Sequence, residues 1–153
     1  MATEAEPFEI TVQIRPGDVD GMGHVNNIVY VRWVQEVALA HWFARAPAEA
    51  QAAMTWVVLR HEIDYLRAAR PGDTVRARTW IGQAQAIRYE RHTQIVLEDG
   101  TTLARARTLW CPVDTATGRP RRVPPEVRAA FAVGGEGAGG EGAPPADARA
   151  RPA

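Results

Sequence analysis

Five side chains that could take part in chemistry lie close together near the start of the chain, at Asp18, Asp20, His24, Asn26 and Asn27. A carboxylate held beside an electrophilic carbonyl can activate water as a general base or attack the carbon itself. An imidazole at the same place can polarise the substrate. We therefore place the candidate site in the segment 15–27, with Asp20 as the reactive carboxylate.

The segment 28–43, which follows directly, contains neither proline nor glycine and is predicted to form a long helix. Its apolar residues occur nearly all round the helix, so we expect other parts of the protein to enclose it. The first N–H groups of a helix lack intrahelical partners and carry a partial positive charge, which suits a developing oxyanion. The N–H groups near Asn27 are therefore predicted to receive negative charge from a substrate.

A purely structural interpretation of the same loop stays open, because aspartate and asparagine are ordinary turn and capping residues before a helix. Of the two carboxylates, Asp18 is the better structural candidate, and we expect its hydrogen bonds to tie the loop down. His24 fits equally well as a satisfied loop histidine and as a polariser of substrate.

Alternation of apolar and polar residues predicts five strands, at 8–15, 56–66, 73–82, 87–97 and 102–113. Asp99 and Gly100 between the last two are a strong hairpin signal, whereas 82–86 is a weak break. The segment 44–53 is predicted as a loop or a broken helix, and 124–131 as a short terminal helix. One strand, a long helix and four further strands predict an α+β fold, in which a curved antiparallel sheet surrounds a central helix.

The composition fits one domain, with 153 residues, 46% of them hydrophobic, and 18 basic against 18 acidic residues. Residues 133–153 contain 6 of the 13 glycines and 3 of the 11 prolines, so we predict a folded domain at 1–132 followed by a disordered tail. The balanced charge argues against nucleic acid as a partner. The paired arginines at 76 and 78 and at 105 and 107 are accordingly predicted to lie on a solvated sheet face.

The single cysteine, Cys111, excludes an intrachain disulfide and favours a reducing compartment, so the expected location is cytoplasmic. No membrane span is predicted, because the most apolar stretch is interrupted by Arg32, Gln35, Glu36 and His41. The five tryptophans are more aromatic bulk than a small monomer needs, which favours a homodimer or homotetramer.

The run from Asp18 to Tyr30, DVDGMGHVNNIVY, followed by Trp33 and Glu36, resembles the hotdog-fold acyl thioesterases of the 4-hydroxybenzoyl-CoA thioesterase type. Its GHVNN portion is also similar to the plant acyl-carrier-protein thioesterases. The order strand, loop, long helix and four strands extends this resemblance over residues 8–113. It implies the hotdog fold and the hydrolysis of an acyl-CoA or an acyl-carrier-protein thioester, without a metal or another cofactor.

The resemblance also implies roles for particular residues. Asp20 would be the catalytic base or nucleophile, and the backbone N–H of Asn27 would polarise the thioester carbonyl. His24 falls where the plant enzymes have a functional histidine, although Met22 stands in place of their neighbouring asparagine. Glu36 occupies a position where related proteins carry an acid, and it either assists the reaction or forms a buried ion pair, of which we favour the second.

An apolar acyl tunnel beside the helix and at a dimer interface is implied as well. Its candidate lining residues, each also an ordinary core residue, are Tyr30, Trp33, Val34 and Trp56. Near the turn that meets the coenzyme A phosphates in the aromatic thioesterases, only Arg88 and Arg91 are available. Further candidates for the phosphates are the arginines at 60, 67, 70, 119, 121 and 122, and a carrier-protein substrate is the alternative.

Two other functions use the same predicted fold. Hotdog hydratases and dehydratases combine an acid and a histidine about five residues apart, and Asp20 and His24 are four apart. A non-catalytic acyl-CoA-binding module would keep the tunnel without the chemistry, but the carboxylate at Asp20 argues against it. A calcium loop fails because Met22 stands where an oxygen ligand is needed, and the four histidines show no paired ligand spacing.

Overall fold

The computed structural model describes residues 7–131, so the tail predicted at 133–153 lies outside the described residues. The strands are β1 (Phe8–Val12), β2 (Met54–Tyr65), β3 (Val75–Gln85), β4 (Arg88–Leu97) and β5 (Thr102–Asp114). The helices are α1 (Asn27–Arg45), α2 (Ala48–Ala53) and α3 (Pro125–Ala130). The strands form one antiparallel sheet in the order β1-β3-β4-β5-β2, against which α1 packs. The predicted α+β arrangement is confirmed.

Several predicted boundaries shift for local reasons. The first strand ends at Val12, because its partner Val75 is the first residue of β3, and Pro16–Asp18 then form a short 3-10 turn. The weak break predicted at 82–86 is shorter than expected, since β3 continues to Gln85, pairs with Arg88 and leaves a two-residue turn at 86–87. A β-bulge between Ile81 and Ala84 absorbs the irregular sequence there.

The predicted hairpin at Asp99 and Gly100 is confirmed. Gly100 adopts a positive φ of 91°, which a glycine reaches without the strain that a side chain would bring. Asp99 Oδ1 accepts a hydrogen bond of 2.9 Å from the N–H of Thr101 and closes the turn. The turn joins β4 and β5, whose register shifts once, between Ile95 and Val96.

Helix α1 is buried on one side. Its buried side chains, at positions 29, 30, 33, 34, 37, 38, 41 and 42, face the sheet, and six of them divide between two core clusters, 29, 30, 33 and 37 in one and 38 and 42 in the other. On the other side, Ile28, Leu39 and Phe43 are 73%, 50% and 61% exposed. The expectation that the whole helix is enclosed is therefore met on the sheet side only, because one sheet contacts one side of a helix.

The outer face of the sheet carries the arginine pairs that the sequence predicted there. Arg76 and Arg78 lie 3.9 Å and 3.6 Å from carboxylate oxygens of Glu98 and Glu9. Arg107 lies 2.7 Å from Glu90, its partner on the neighbouring strand. Such half-exposed pairs contribute little stability each, but they leave a face of paired rather than free charges.

Strand β2 forms an edge of the sheet over its twelve residues. Its large apolar side chains Val57 and Leu59 are 47% and 51% exposed. Leu59 lies where the register with β5 shifts, between Val58 and Arg60. A long edge strand with exposed apolar residues is a ready template for pairing with another chain.

Candidate active site

Asp18 is a structural residue of the loop before α1. Its side chain is buried, and the two carboxylate oxygens accept hydrogen bonds of 2.7 Å and 2.6 Å from Arg32 on the helix. A third hydrogen bond of 2.8 Å comes from the N–H of Arg15. The hydrogen bonds from Arg32 hold the pKa of the Asp18 carboxyl at about 2, below its usual 3.8. The prediction that Asp18 ties the loop down is confirmed.

Asp20, two residues on, is exposed and makes no ion pair within the described part of the chain. Its Oδ1 accepts hydrogen bonds of 2.8 Å and 3.1 Å from the N–H groups of Met22 and His24. These bonds fix the direction of the carboxylate, because both donors belong to the hydrogen-bonded turn that follows it. In residues 7–131, Oδ2 has no hydrogen-bond partner and remains available to water or a substrate.

The turn also fixes the backbone on either side of His24. The N–H of Asp20 donates to the carbonyl of His24 at 2.8 Å, and Val19 and Val25 form an isolated β-bridge. The half-buried imidazole of His24 makes no hydrogen bond to any residue between 7 and 131. The two interpretations of His24, structural or functional, therefore both remain compatible with its position.

Asn27 is the first residue of α1, as its proposed role requires. Its N–H has no hydrogen-bond partner among the residues described, because the first N–H groups of a helix point away from the intrahelical ladder. Its carbonyl accepts a hydrogen bond of 3.2 Å from the hydroxyl of Tyr65 at the end of β2. The contact anchors the start of α1 to the edge strand and leaves the N–H free.

Glu36 belongs to the ion-pair network that starts at Asp18. Its carboxylate lies 3.3 Å from Nε of Arg32, one helical turn earlier, and 3.8 Å from Arg15. The side chain is 35% exposed, so the expected ion pair exists but is not buried. Arg32, which joins Asp18 to Glu36, was missed by sequence reasoning, although its spacing of four residues from Glu36 on one helix was an available signal.

Of the residues predicted to line an acyl tunnel, three lie in the core. Tyr30 and Trp33 are 1% and 0% exposed, and the Tyr30 hydroxyl accepts a hydrogen bond of 2.8 Å from the N–H of Ala69. Val34 is buried as well. Their positions show them packing the fold, and none of them borders the pocket at the other end of α1.

Trp56 does border that pocket, which lies between the second half of α1, the sheet and α3. The pocket encloses about 510 Å³, part of it open to solvent. Its aromatic wall consists of Trp42, Trp56, Tyr89, Trp110 and Phe131. We call the whole cavity the aromatic pocket. Its concave shape and apolar lining are those of a small-molecule site. The excess of tryptophan was the only sequence signal for it.

The two arginines proposed for the coenzyme A phosphates lie in different environments. Arg88 is exposed at the first position of β4. Arg91 is 7% exposed and borders the aromatic pocket, so a phosphate outside the protein cannot reach it. The expectation for Arg91 is therefore corrected. Its side chain points inward because it shares the inner face of β4 with Tyr89 and Thr93.

No helix within residues 7–131 is long and apolar enough to cross a membrane. The same residues bring together no three side chains of histidine, cysteine, aspartate or glutamate that could hold a metal ion.

Comparison with known proteins gives one match over most of the chain. A family model described as the thioesterase-like superfamily matches residues 14–131. The matched range includes the loop of Asp20, the whole of α1 and the four later strands.

Curated relatives match over a shorter range. The chain is 30% identical over 87 residues to the chloroplastic acyl-[acyl-carrier-protein] hydrolase FATB3 of Cuphea viscosissima, covering 56% of this chain and 21% of the relative. It is 30% identical over 105 residues to the chloroplastic palmitoyl-acyl carrier protein thioesterase of Cuphea hookeriana, covering 62% of this chain and 25% of the relative. The chain thus spans a quarter or less of the length of these relatives.

Solved structures share the fold over most of their length. A thioesterase from Thermus thermophilus, complexed with coenzyme A and Zn, superimposes with a TM-score of 0.71 at 23% identity, covering 83% of this chain and 98% of that one. Slr0204, a 1,4-dihydroxy-2-naphthoyl-CoA thioesterase from Synechocystis, gives 0.71 at 21% identity, covering 82% and 96%. The hotdog fold implied by the sequence resemblance is confirmed.

Proposed function

The chain belongs to the thioesterase-like superfamily, and on that basis we propose that it hydrolyses an acyl thioester with Asp20 as the catalytic carboxylate. The observation that carries this proposal is that two groups without a partner in residues 7–131 lie seven positions apart, one in the loop before α1 and one at the start of α1. Asp20 offers an unpartnered carboxylate oxygen, and Asn27 offers an unpartnered N–H at the start of α1. A base and an oxyanion contact are the parts that thioester hydrolysis requires, because a thiolate leaves readily.

In the proposed reaction, Asp20 removes a proton from water while the oxygen of that water adds to the thioester carbonyl carbon. The negative charge that develops on the carbonyl oxygen is stabilised by the N–H of Asn27 and by the positive end of α1. The tetrahedral intermediate then collapses and expels the thiolate, which receives the proton from Asp20. A direct attack by Asp20, through an anhydride that water hydrolyses, uses the same groups.

The aromatic pocket of the same chain lies far from this loop. The helix rises about 1.5 Å per residue, so Asn27 and Ala38, which borders the pocket, are about 16 Å apart along the axis. We therefore propose that a second copy of the chain completes the site. Antiparallel pairing of two β2 strands about a two-fold axis would join the sheets and put both α1 helices on one face.

Such a pairing accounts for exposed features of both β2 and α1. It covers the free edge of β2 with Val57 and Leu59, and it brings the exposed apolar residues of α1 towards the partner helix. Tyr65, which contacts Asn27, ends β2, and Trp56, which borders the aromatic pocket, lies near its start. Antiparallel pairing therefore places the loop of one copy beside the aromatic pocket of the other. The acyl group would occupy that pocket.

The substrate carrier is coenzyme A or an acyl-carrier protein. Coenzyme A is supported by the exposed position of Arg88, which could meet a phosphate, and carrier protein is supported by the plant relatives, whose names give acyl-carrier-protein substrates. Both carriers present the acyl group on the same type of thioester. The chemistry at Asp20 does not distinguish them.

Thiol release from a panel of short, medium, long-chain and aromatic acyl-CoA substrates tests the proposal, with acyl-carrier-protein thioesters as a second panel. Wild type and Asp20→Asn are compared at equal concentrations of folded protein. Hydrolysis that is lost in the variant supports the proposal. Hydration of enoyl-CoA, or acyl-CoA binding with no turnover on either panel, would instead assign the hydratase or the binding-only function.

A further inference from the structure

Arg91 is a buried cation with no acidic partner among the described residues. Its Nη1 donates hydrogen bonds of 2.9 Å to Nδ1 of His41 and 3.0 Å to Oγ1 of Thr79, both of which are neutral acceptors. In residues 7–131, no acceptor lies within hydrogen-bond distance of its Nε or Nη2. The described residues that border the aromatic pocket include a second arginine, Arg128, but no aspartate or glutamate.

Within residues 7–131 no carboxylate compensates the charge of Arg91, which is energetically unfavourable. Burial lowers the pKa of the guanidinium to about 9, which still leaves it protonated at neutral pH. The pKa of His41 is lowered to about 3 by burial and by the neighbouring arginines, so the imidazole stays neutral and accepts the hydrogen bond. A buried charge without a counter-ion destabilises a protein, and a ligand anion would supply the missing partner.

The free edge of the guanidinium has a defined chemical complement. His41 and Thr79 hold Nη1, which fixes the plane of the group, and the side formed by Nε and Nη2 makes no hydrogen bond within residues 7–131. Two parallel N–H donors on one edge match the two oxygens of a carboxylate. A neutral acceptor such as a hydroxyl would fill one donor and leave the charge uncompensated.

We propose that the aromatic pocket binds an acyl group that carries a second, distal carboxylate, and that Arg91 pairs with this carboxylate through its Nε and Nη2 edge. The apolar body of the acyl group packs against the aromatic wall. The identification of the ligand as an acyl group rests on the proposed thioesterase function. The carboxylate-binding site itself does not depend on catalysis. The substrate class is thus a monothioester of a dicarboxylic acid.

Two matched pairs of compounds test the binding step and the hydrolysis step separately. Isothermal titration calorimetry compares monomethyl terephthalate, which has a distal carboxylate, with methyl 4-methylbenzoate, which has a methyl group there. Thiol release compares adipoyl-CoA with hexanoyl-CoA, and 4-carboxybenzoyl-CoA with 4-methylbenzoyl-CoA. The proteins are wild type, Arg91→Gln, Arg91→Lys and the control Arg78→Gln, which removes an arginine from the outer face of the neighbouring strand.

We expect wild type and Arg78→Gln to prefer the carboxylate compound by at least about 30-fold, the effect of one desolvated ion pair. Arg91→Gln should reduce that preference to within about threefold, and Arg91→Lys should retain part of it, because lysine keeps the charge without the two-donor edge. In Arg91→Gln, activity towards hexanoyl-CoA should fall much less than activity towards adipoyl-CoA. A general loss of folding would lower both activities equally.

Three results would overturn the inference. The first is wild-type protein that does not prefer the carboxylate compound in calorimetry, whatever its hydrolytic activity. The second is a preference that survives in Arg91→Gln. The third is a carboxylate preference that is absent in wild type and appears only when Glu136 and Glu141 are both changed to glutamine, which would assign Arg91 to the chain's own acidic residues. Absence of hydrolysis with binding preference intact would contradict the proposed function but not the carboxylate site.

Discussion

Asp18 and Asp20 are two residues apart in one loop but have opposite environments. Asp18 is buried with both oxygens on Arg32, whereas Asp20 is exposed with one oxygen held by the turn and the other free among the described residues. Both carboxylate oxygens of Asp18 accept hydrogen bonds. The turn fixes the direction of the Asp20 carboxylate but leaves one of its oxygens without a donor in residues 7–131. Their contacts therefore distinguish a structural acid, Asp18, from the acid that we propose to be catalytic, Asp20, and substitutions at the two positions should have different consequences.

Asp20→Asn should lower kcat by at least about 10²-fold, because it removes a positioned base. The variant should melt within about 1 °C of wild type, since asparagine can still accept the two hydrogen bonds of the turn. Steady-state thiol release and a thermal melt measure the two quantities. Wild-type turnover in a folded Asp20→Asn would rule out this assignment.

His24→Ala should reduce kcat less than Asp20→Asn does, because its imidazole contacts no described residue and the backbone N–H that supports Asp20 remains. The comparison uses the best substrate found for wild type. Losses of equal size in the two variants would contradict this order and indicate a shared acid and base role.

Asp18→Asn should lower the free energy of unfolding by about 2 kcal/mol at pH 7, because the ion pair with Arg32 is lost. The native pKa of about 2 lies below the unfolded 3.8, so this stabilisation is complete above pH 3.8 and lost as the pH falls through 2. Urea titrations at several pH values should show the wild type and the variant converging over that window. A constant difference down to pH 2 would argue against the ion pair as its cause.

Acid should also destabilise the protein through His41, whose pKa is about 3 in the native state and 6.5 in the unfolded state. Between these values the unfolded chain binds a proton that the native protein excludes, so stability falls as the pH decreases. His41→Gln should flatten the slope of unfolding free energy against pH between 6.5 and 4, above the range where Asp18 titrates. His61→Gln is the comparison, since burial lowers the pKa of His61 in the same direction.

Leu59→Arg should convert the proposed dimer into a monomer, because it places like charges at the paired edge of two β2 strands. Ile87→Arg is the matched control, since Ile87 is also an exposed apolar residue but lies in the turn between β3 and β4. Light scattering measures the mass of each. The monomeric variant should also lose hydrolysis if the aromatic pocket serves the loop of the partner copy. A wild-type monomer would contradict the proposed assembly.

The sequence was most informative where one pattern of residues determined one outcome. Period-two alternation predicted all five strands, and the pair Asp99 and Gly100 predicted their last turn, because such a turn depends on local backbone preferences. The continuation of β3 through 82–85 was not predictable, since pairing with β4 overrides the weak local preference there.

Within the site, residue type and residue position gave conflicting predictions at Arg91. The alternation of β4 puts Arg91 on the inner face with Tyr89. Because an arginine is normally exposed to solvent, the sequence prediction placed Arg91 at the surface, near the coenzyme A phosphates. The partner of Asp18 was equally hidden, because Arg32 is fourteen positions away and only the fold brings the two together. The role expected of Asp18 could be predicted, but its partner could not.

The strand order also governs how the chain reaches its native state. The strands β3, β4 and β5 are joined by short turns, but β1 must pair with β3, placing Phe8 opposite Thr79, and β2 must pair with β5, placing Met54 opposite Asp114. These two pairings join residues that are far apart in the chain, which raises the contact order and slows folding towards the millisecond-to-second range. During synthesis, β2 remains without its partner β5 until residue 114 has left the ribosome. Before that point, the apolar residues of β2 are most exposed to aggregation.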